Sequence, residues 1–247
     1  MQDNIVVEVT NLSKQFNSTL AVDNISFQVR RGEIVGLLGA NGAGKTTTMH
    51  MLLGVVTPSS GTIKIFGQDL ERQRIEILKR MNFASAYQFL SANLQVRENL
   101  YIFAEIYQVK NSKNKIDSLL DLFELSHLKN KNTGSLSSGE QTRLNLCKSL
   151  INDPELLLLD EPTASLDPYI ADKVRKILAH IHKETNMTII NTSHNMIDVH
   201  ELCERVLFMQ EGKILTHGTS DEIMNQFGSQ SLDEVFIAMA GKGSIKQ

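Results

Sequence analysis

The segment Gly39-Ala-Asn-Gly-Ala-Gly44-Lys45-Thr46 constrains this chain more than any other stretch of it. Two glycines with four residues between them are followed by lysine and threonine, and the flanks fit the motif. Ile34–Leu38 is an almost unbroken apolar run, the pattern of a strand covered on both faces. A helix is predicted to begin near Lys45. Strand, glycine-rich turn and helix start together make an anion cradle: the glycines let backbone N–H groups turn inward, and the helix N-terminus adds partial positive charge. Lys45 is expected to reach the β- and γ-phosphates of a nucleoside triphosphate, and Thr46 to ligate its Mg²⁺. Gly39, Asn41, Gly42, Gly44 and Thr47 complete the candidate cradle.

Such a loop needs an α/β frame, and the rest of the chain reads as one. Strands are predicted at Ile5–Val9, Ser26–Val29, Thr62–Phe66, Leu156–Leu159 and Met187–Asn191. A hairpin is predicted from Val206–Met209 and Lys213–Thr216 around Glu211-Gly212. Helical spacing fills the middle third, at Val96–Val109, Ile116–Leu125 and Gln141–Leu150, and returns at Ala171–His182, Met196–Cys203, Asp221–Phe227 and Leu232–Ala240. The expected organisation is one domain: an α/β core from 1–87 and 151–220, a helical subdomain at 88–150 and a helical tail at 221–247.

Composition excludes several classes. With 41% hydrophobic residues in 247 the chain can bury a sizeable core. A formal net charge of −3 and only loose lysine clusters give no basic stripe, so no nucleic-acid partner is expected. Cys147 and Cys203 lack metal-ligand spacing, which suits a reducing cytosol. The first residues carry no basic stretch followed by an apolar one, so no signal peptide is expected. No apolar run nears the ~18–20 residues of a membrane span, so the chain is not expected to cross a membrane by itself.

A second chemical element is Leu156-Leu-Leu-Leu-Asp160-Glu161. A buried strand that ends in two carboxylates puts charge at the sheet edge where α/β proteins bind ligands. Taken alone this is an ordinary strand end; beside a phosphate loop it supplies Asp160 for Mg²⁺ and Glu161 to polarise an attacking water. Between the two elements lies Leu136-Ser-Ser-Gly-Glu-Gln141, ahead of a helix.

That hexapeptide resembles the signature loop of ABC ATPases, usually LSGGQ, and the order of motifs matches the same family over roughly residues 5–220. The resemblance implies a P-loop NTPase core with an N-terminal antiparallel β subdomain and an inserted α-helical signature subdomain. It makes Gln88 the Q-loop glutamine, a contact for Mg²⁺ or water, and His194 the switch histidine that touches the γ-phosphate. Ser165-Leu-Asp167 resembles the D-loop. Phe16 stands where an aromatic ring stacks on adenine, and it lacks the hydroxyl of the commoner tyrosine. Ser137 and Gly139 would serve a nucleotide held by a second chain. Two departures stand out: Ser138 replaces the first signature glycine and Glu140 the glutamine. Activity is expected to survive both.

The family further implies ATP and Mg²⁺ as cofactors, a homodimer or a paralogous ATPase subunit as partner, and an integral membrane permease. The location implied is the cytoplasmic face of the membrane, peripheral through that permease. Ser231-Leu-Asp-Glu-Val-Phe236 with Ala238-Met-Ala-Gly241, and Leu94-x-Val-Arg-Glu-Asn-Leu100, resemble ATPase subunits of ABC-2-type exporters. A non-transport ABC ATPase is the competing expectation. Ribosome-acting members carry two such domains and DNA-acting ones a long coiled coil, for which residues 89–135 are too few.

Overall fold

The structure, a computed structural model, describes residues 4–86 and 90–243. The chain divides into two compact units, residues 1–77 with 188–247, and residues 78–187.

The first unit holds two sheets. β1 (Ile5–Phe16) and β2 (Thr19–Arg30) form a long antiparallel hairpin, and β4 (Ser60–Ile65) pairs with β1 on its other side and carries the two-residue β5 (Gln68–Asp69). β1 and β2 run well beyond the predicted Ile5–Val9 and Ser26–Val29. Their register shifts several times, and Asn11 in β1 and Asn24 in β2 take left-handed φ of 49° and 51°, so polar residues break the alternation that marks a strand. The second sheet centres on β3 (Ile34–Leu38). It pairs in parallel with β8 (Thr188–Thr192) on one side and β9 (Arg205–Gln210) on the other, and β9 turns antiparallel into β10 (Lys213–Gly218). All five residues of β3 and all five of β8 are buried, as their apolar runs require.

Helices α1 (Lys45–Leu52), α7 (Met196–Leu202), α8 (Ser220–Phe227) and α9 (Leu232–Gly243) belong to this unit. Arg205 holds β9 in place: its Nε donates to Glu33 Oε1 at 2.6 Å and its Nη2 to the Gln28 carbonyl at 2.6 Å. Phe236 of α9 meets Phe208 edge-on, with ring centroids 6.0 Å apart. A short helix, α2 (Arg74–Leu78), ends the first segment.

The second unit pairs β6 (Met81–Ser85) with β7 (Leu156–Asp160) in parallel, Met81 opposite Leu156 and Ser85 opposite Asp160. Helices α3 (Val96–Ile106), α4 (Ser112–Leu122), α5 (Ser138–Ser149) and α6 (Pro168–Thr185) surround a core that includes Leu100, Leu120, Phe123, Leu144 and Leu146. α3 begins with a capping box between Gln95 and Glu98. Asn82, a residue type that strands disfavour, is held by Asn152 at 2.8 Å. The architecture is α/β, an antiparallel sheet and a mixed, mainly parallel one with helices, as expected. Both cysteines are free and buried. Among the described residues no helix is long and apolar enough to cross a membrane.

Candidate nucleotide site

The glycine loop runs from the end of β3 into α1. Gly44, at φ 103°, caps the helix without a side chain. A Cβ there would fall 2.5 Å from the Ala21 carbonyl, and one on Gly39 2.2 Å from the Met209 carbonyl, so the loop is pressed against its neighbours and only glycine fits. Gly42 faces open space and Asn41 is exposed. The Lys45 side chain is only 8% exposed; its ammonium donates to the carbonyls of Gly39 at 2.6 Å and Ala40 at 3.1 Å, which draws it across the loop. Thr46 is exposed on the first turn, Thr47 half-buried, and the buried Thr48 donates back to the Gly44 carbonyl at 2.9 Å. The start of α1 has no side-chain cap, and it follows a glycine loop across which a lysine ammonium is drawn. That donor set suits a polyphosphate.

In the same unit, His194 is exposed on the turn between β8 and α7. The turn is built tightly around it. Ser193 is buried; its hydroxyl accepts from the Asn195 amide at 3.0 Å, and Asn195 caps α7 by accepting from Ile197 N at 3.0 Å. Phe16, at the end of β1, is 45% exposed, with the Lys14 ammonium 4.9 Å from its ring centroid.

In the second unit, Asp160 and Glu161 are half-buried at the carboxyl end of β7. Glu161 has a left-handed φ of 55°, a conformation that costs a non-glycine residue on the order of 1 kcal/mol and that recurs at functional turns. The chain reverses there, and the Ala164 amide closes back on the Glu161 carbonyl at 3.1 Å. Asp167 caps α6: its Oδ1 accepts from Tyr169 N and Ile170 N, each at 3.1 Å. Ser137 caps α5 and is exposed, and Gly139 is half-buried. A Cβ on Gly139 would meet only ordinary contacts, Leu166 Cδ2 at 3.5 Å and the Ser165 carbonyl at 3.7 Å. Packing inside the chain therefore does not demand a glycine at this position. Gln88 lies outside the described residues.

Three further features of this unit lie outside the motif roles named above. The hydroxyls of Thr142 and Ser165 meet at 2.5 Å and join α5 to the 165–167 turn. The Glu140 carboxylate folds back onto Ser137, an arrangement legible in advance as a serine followed three residues later by glutamate. Lys148, near the end of α5, is buried with its ammonium donating to the Phe83 carbonyl at 2.6 Å and lying 5.6 Å from the Phe103 ring centroid. Burial pulls its pKa down to about 8.

Comparison with known proteins places these units in a family. The family model described as ABC transporter matches residues 22–164. The chain is 40% identical over 210 residues to the bacitracin transport ATP-binding protein BcrA of Bacillus licheniformis, covering 85% of this chain and 68% of that protein. It is 34% identical over 238 residues to the Nod factor export ATP-binding protein I of Rhizobium sp. (strain N33), covering 94% of this chain and 77% of that one. Among solved structures, one described as an ATP binding subunit of an ABC transporter superposes with a TM-score of 0.85 at 26% identity, over 95% of this chain and 99% of the other.

Proposed function

The chain belongs to the ABC transporter family as an ATP-hydrolysing, ATP-binding subunit, and on that basis we propose that two copies close around two ATP–Mg²⁺ to drive a separate membrane permease in the direction of export. The observation that carries the reading is the glycine loop, with an uncapped helix start and a lysine ammonium drawn across it. Export is supported by the transport and export relatives named above and by the sequence of the tail. We read residues 1–247 as one ATPase domain, with 88–150 as its signature subdomain and 221–247 as its tail.

In this reading the loop amides of Gly39–Lys45 hold the phosphates of ATP, with Asn41, Gly42 and Thr47 beside them, and the Lys45 ammonium exchanges its loop carbonyls for phosphate oxygens. Phe16 offers a ring face to the adenine. Mg²⁺, which binds through one or two carboxylates and phosphate oxygens, would neutralise charge on the transferred phosphoryl group; Thr46, Asp160 and Gln88 are the residues that would hold it. Glu161 orients and polarises the attacking water, and His194 donates to the γ-phosphate. Ser137, Gly139 and Asp167 of a second chain, either an identical copy or a paralogous ATPase subunit, complete each site. Gly139, which the chain's own packing leaves free to carry a side chain, is a glycine because another molecule approaches it closely.

The permease partner docks a short cytoplasmic helix beside residues 88–100 and so holds the subunit at the cytoplasmic face of the membrane. Phe89 lies outside the described residues. Leu90 is half-buried, and Leu94 opens onto a groove of about 580 Å³ that Tyr101, Ile102 and Ile116 also line. Tyr101 and Ile102 are 52% and 44% exposed, more apolar surface than an unpartnered helix face needs to show.

Glu161→Gln tests the chemistry. It keeps the size and polarity of the side chain and removes the charge that polarises water, so turnover falls by about 10²–10⁴-fold. ATP binding stays, and an ATP-dependent dimer accumulates on size exclusion. Turnover like that of the unaltered chain would remove Glu161 from its role, and a chain that hydrolyses ATP at full rate as a dilute monomer would remove the dimer.

A further inference from the structure

We propose that Glu140 sets the ATP threshold for pairing of two chains, because its carboxylate already holds the Ser137 amide and hydroxyl at the start of α5, where a partner's γ-phosphate must bind. The inference rests on the reading that Ser137 and Gly139 face the nucleotide of a second chain.

The geometry is specific. Glu140 Oε2 accepts from the Ser137 amide at 2.6 Å and from the Ser137 hydroxyl at 2.9 Å, while the Glu140 amide donates to Ser137 Oγ at 3.3 Å. Two donors at this helix start, the Ser137 amide and hydroxyl, are therefore turned onto a carboxylate of the same chain. Those two Ser137 donors, the amide first, hold the Glu140 carboxyl below its ordinary pKa, with smaller help from Lys131 and Arg143. The group is charged at neutral pH. A carboxylate has acceptors only, so it has nothing to give a phosphate. An incoming γ-phosphate must win the Ser137 hydroxyl from Glu140 and tolerate a negative charge beside it. A glutamine at this position could turn its oxygen to Ser137 and its two N–H donors outward. Both favour an anion.

Lys131 is the counter-charge. Arg143, the other nearby cation, gives its Nη1 to the Phe123 carbonyl at 2.9 Å, while Lys131 is exposed beside the loop. The charge at this helix start is thus set by two side chains, Glu140 against and Lys131 for the approaching phosphate. Subunits with this pair stay apart until ATP is plentiful, and neutralising the carboxylate releases them.

The experiment uses full-length chains carrying Glu161→Gln, so that dimers accumulate, titrated with ATP–Mg²⁺ and followed by sedimentation velocity. Glu140→Gln keeps an acceptor for Ser137 and hence the helix cap. It lowers the ATP concentration for half-maximal dimer by about fivefold at ~0.1 M salt, where the Debye length is about 10 Å. The gap narrows to within about twofold at ~1 M salt, where that length is about 3 Å. Lys131→Ala raises the requirement about twofold both with Glu140 present and in combination with Glu140→Gln, because its charge acts on the approaching phosphate in either case. An equal threshold in the Glu140 and Glu140→Gln chains, or a gap that ignores salt, overturns the role of Glu140 while the ATP-driven dimer stands. Absence of any ATP-dependent dimer in all four chains overturns the two-chain reading and this inference with it.

Discussion

Two helices in this molecule begin in nearly the same way and arrive at opposite electrostatics. α1 follows a turn whose last glycine supplies no side chain, so no side chain caps its start. α5 follows a serine, and the amides of Ser137 and Glu140 are taken by each other's side chains in a capping box. Each also carries a buried lysine at one end, 8% exposed for Lys45 at the start of α1 and 4% for Lys148 in the last turn of α5. The lesson is that a helix N-terminus is an anion site only where the sequence declines to satisfy it. Glycine at the cap of α1 costs helix stability and leaves a function open. Serine and glutamate at α5 stabilise the helix and leave the approaching anion to compete.

The sharpest way to break this contrast is Gly44→Ala. The added Cβ would sit 2.5 Å from the Ala21 carbonyl at a φ of 103°, so overpacking and a strained backbone act together. We expect a loss of about 3 kcal/mol or more in chemical denaturation and no measurable ATP binding in calorimetry. An alanine chain that binds ATP normally would mean that the glycine is not what holds the cradle open. The two lysines are separated next. Lys148 has a folded pKa of about 8 against an ordinary 10.5. The unfolded chain keeps that proton after the folded one has released it, so stability rises between about pH 8 and 10.5, by about 3 kcal/mol at most. Cys147, whose pKa burial raises, acts in the opposite sense over the same range, so the comparison must be with Lys148→Met. Relative to that variant, the unaltered chain should gain stability as the pH is raised through 8 in thermal melts; a constant difference would show that Lys148 is charged throughout. The smallest effect belongs to the cap itself. Ser137→Ala should cost about 1 kcal/mol of stability in denaturant, whereas α1 has no side-chain cap to lose.

Much of this contrast could be read before any coordinates, because it rests on local rules. Ile34–Leu38 had to be buried on both sides, Gly39–Thr46 had to turn, and Leu156–Asp160 had to end in charge at a sheet edge. Ser137 followed three residues later by Glu140 is a helix start whatever surrounds it. The unread parts are those that tertiary pairing decides. β1 and β2 are 12 residues each, yet only their most regular ends show alternation, because left-handed asparagines shift the register within them. β6 carries Asn82, whose partner Asn152 lies far along the chain, and α2 has only five residues, too few for a period. The Thr142–Ser165 hydroxyl contact and the reversal at Glu161 depend on where the 160–167 turn is held, which no spacing encodes. Of the candidate site residues, Gln88 is the one outside the described structure.

The partners of β3 have a consequence for the order in which a newly made chain can mature. β3 ends at Leu38, but β8 begins only at Thr188 and β9 at Arg205. At a synthesis rate of about 5–20 residues per second, the strand that carries the phosphate loop waits about 8–30 s for its first neighbour in the sheet. Residues 78–187, by contrast, form one uninterrupted stretch with both of their strands inside it, and can collapse while the rest is still being made. The nucleotide cradle thus closes only after residues 78–187 have been made. A ribosome-stalled chain ending before β9 would carry every residue of the glycine loop and still lack the wall, at Met209, against which Gly39 is pressed.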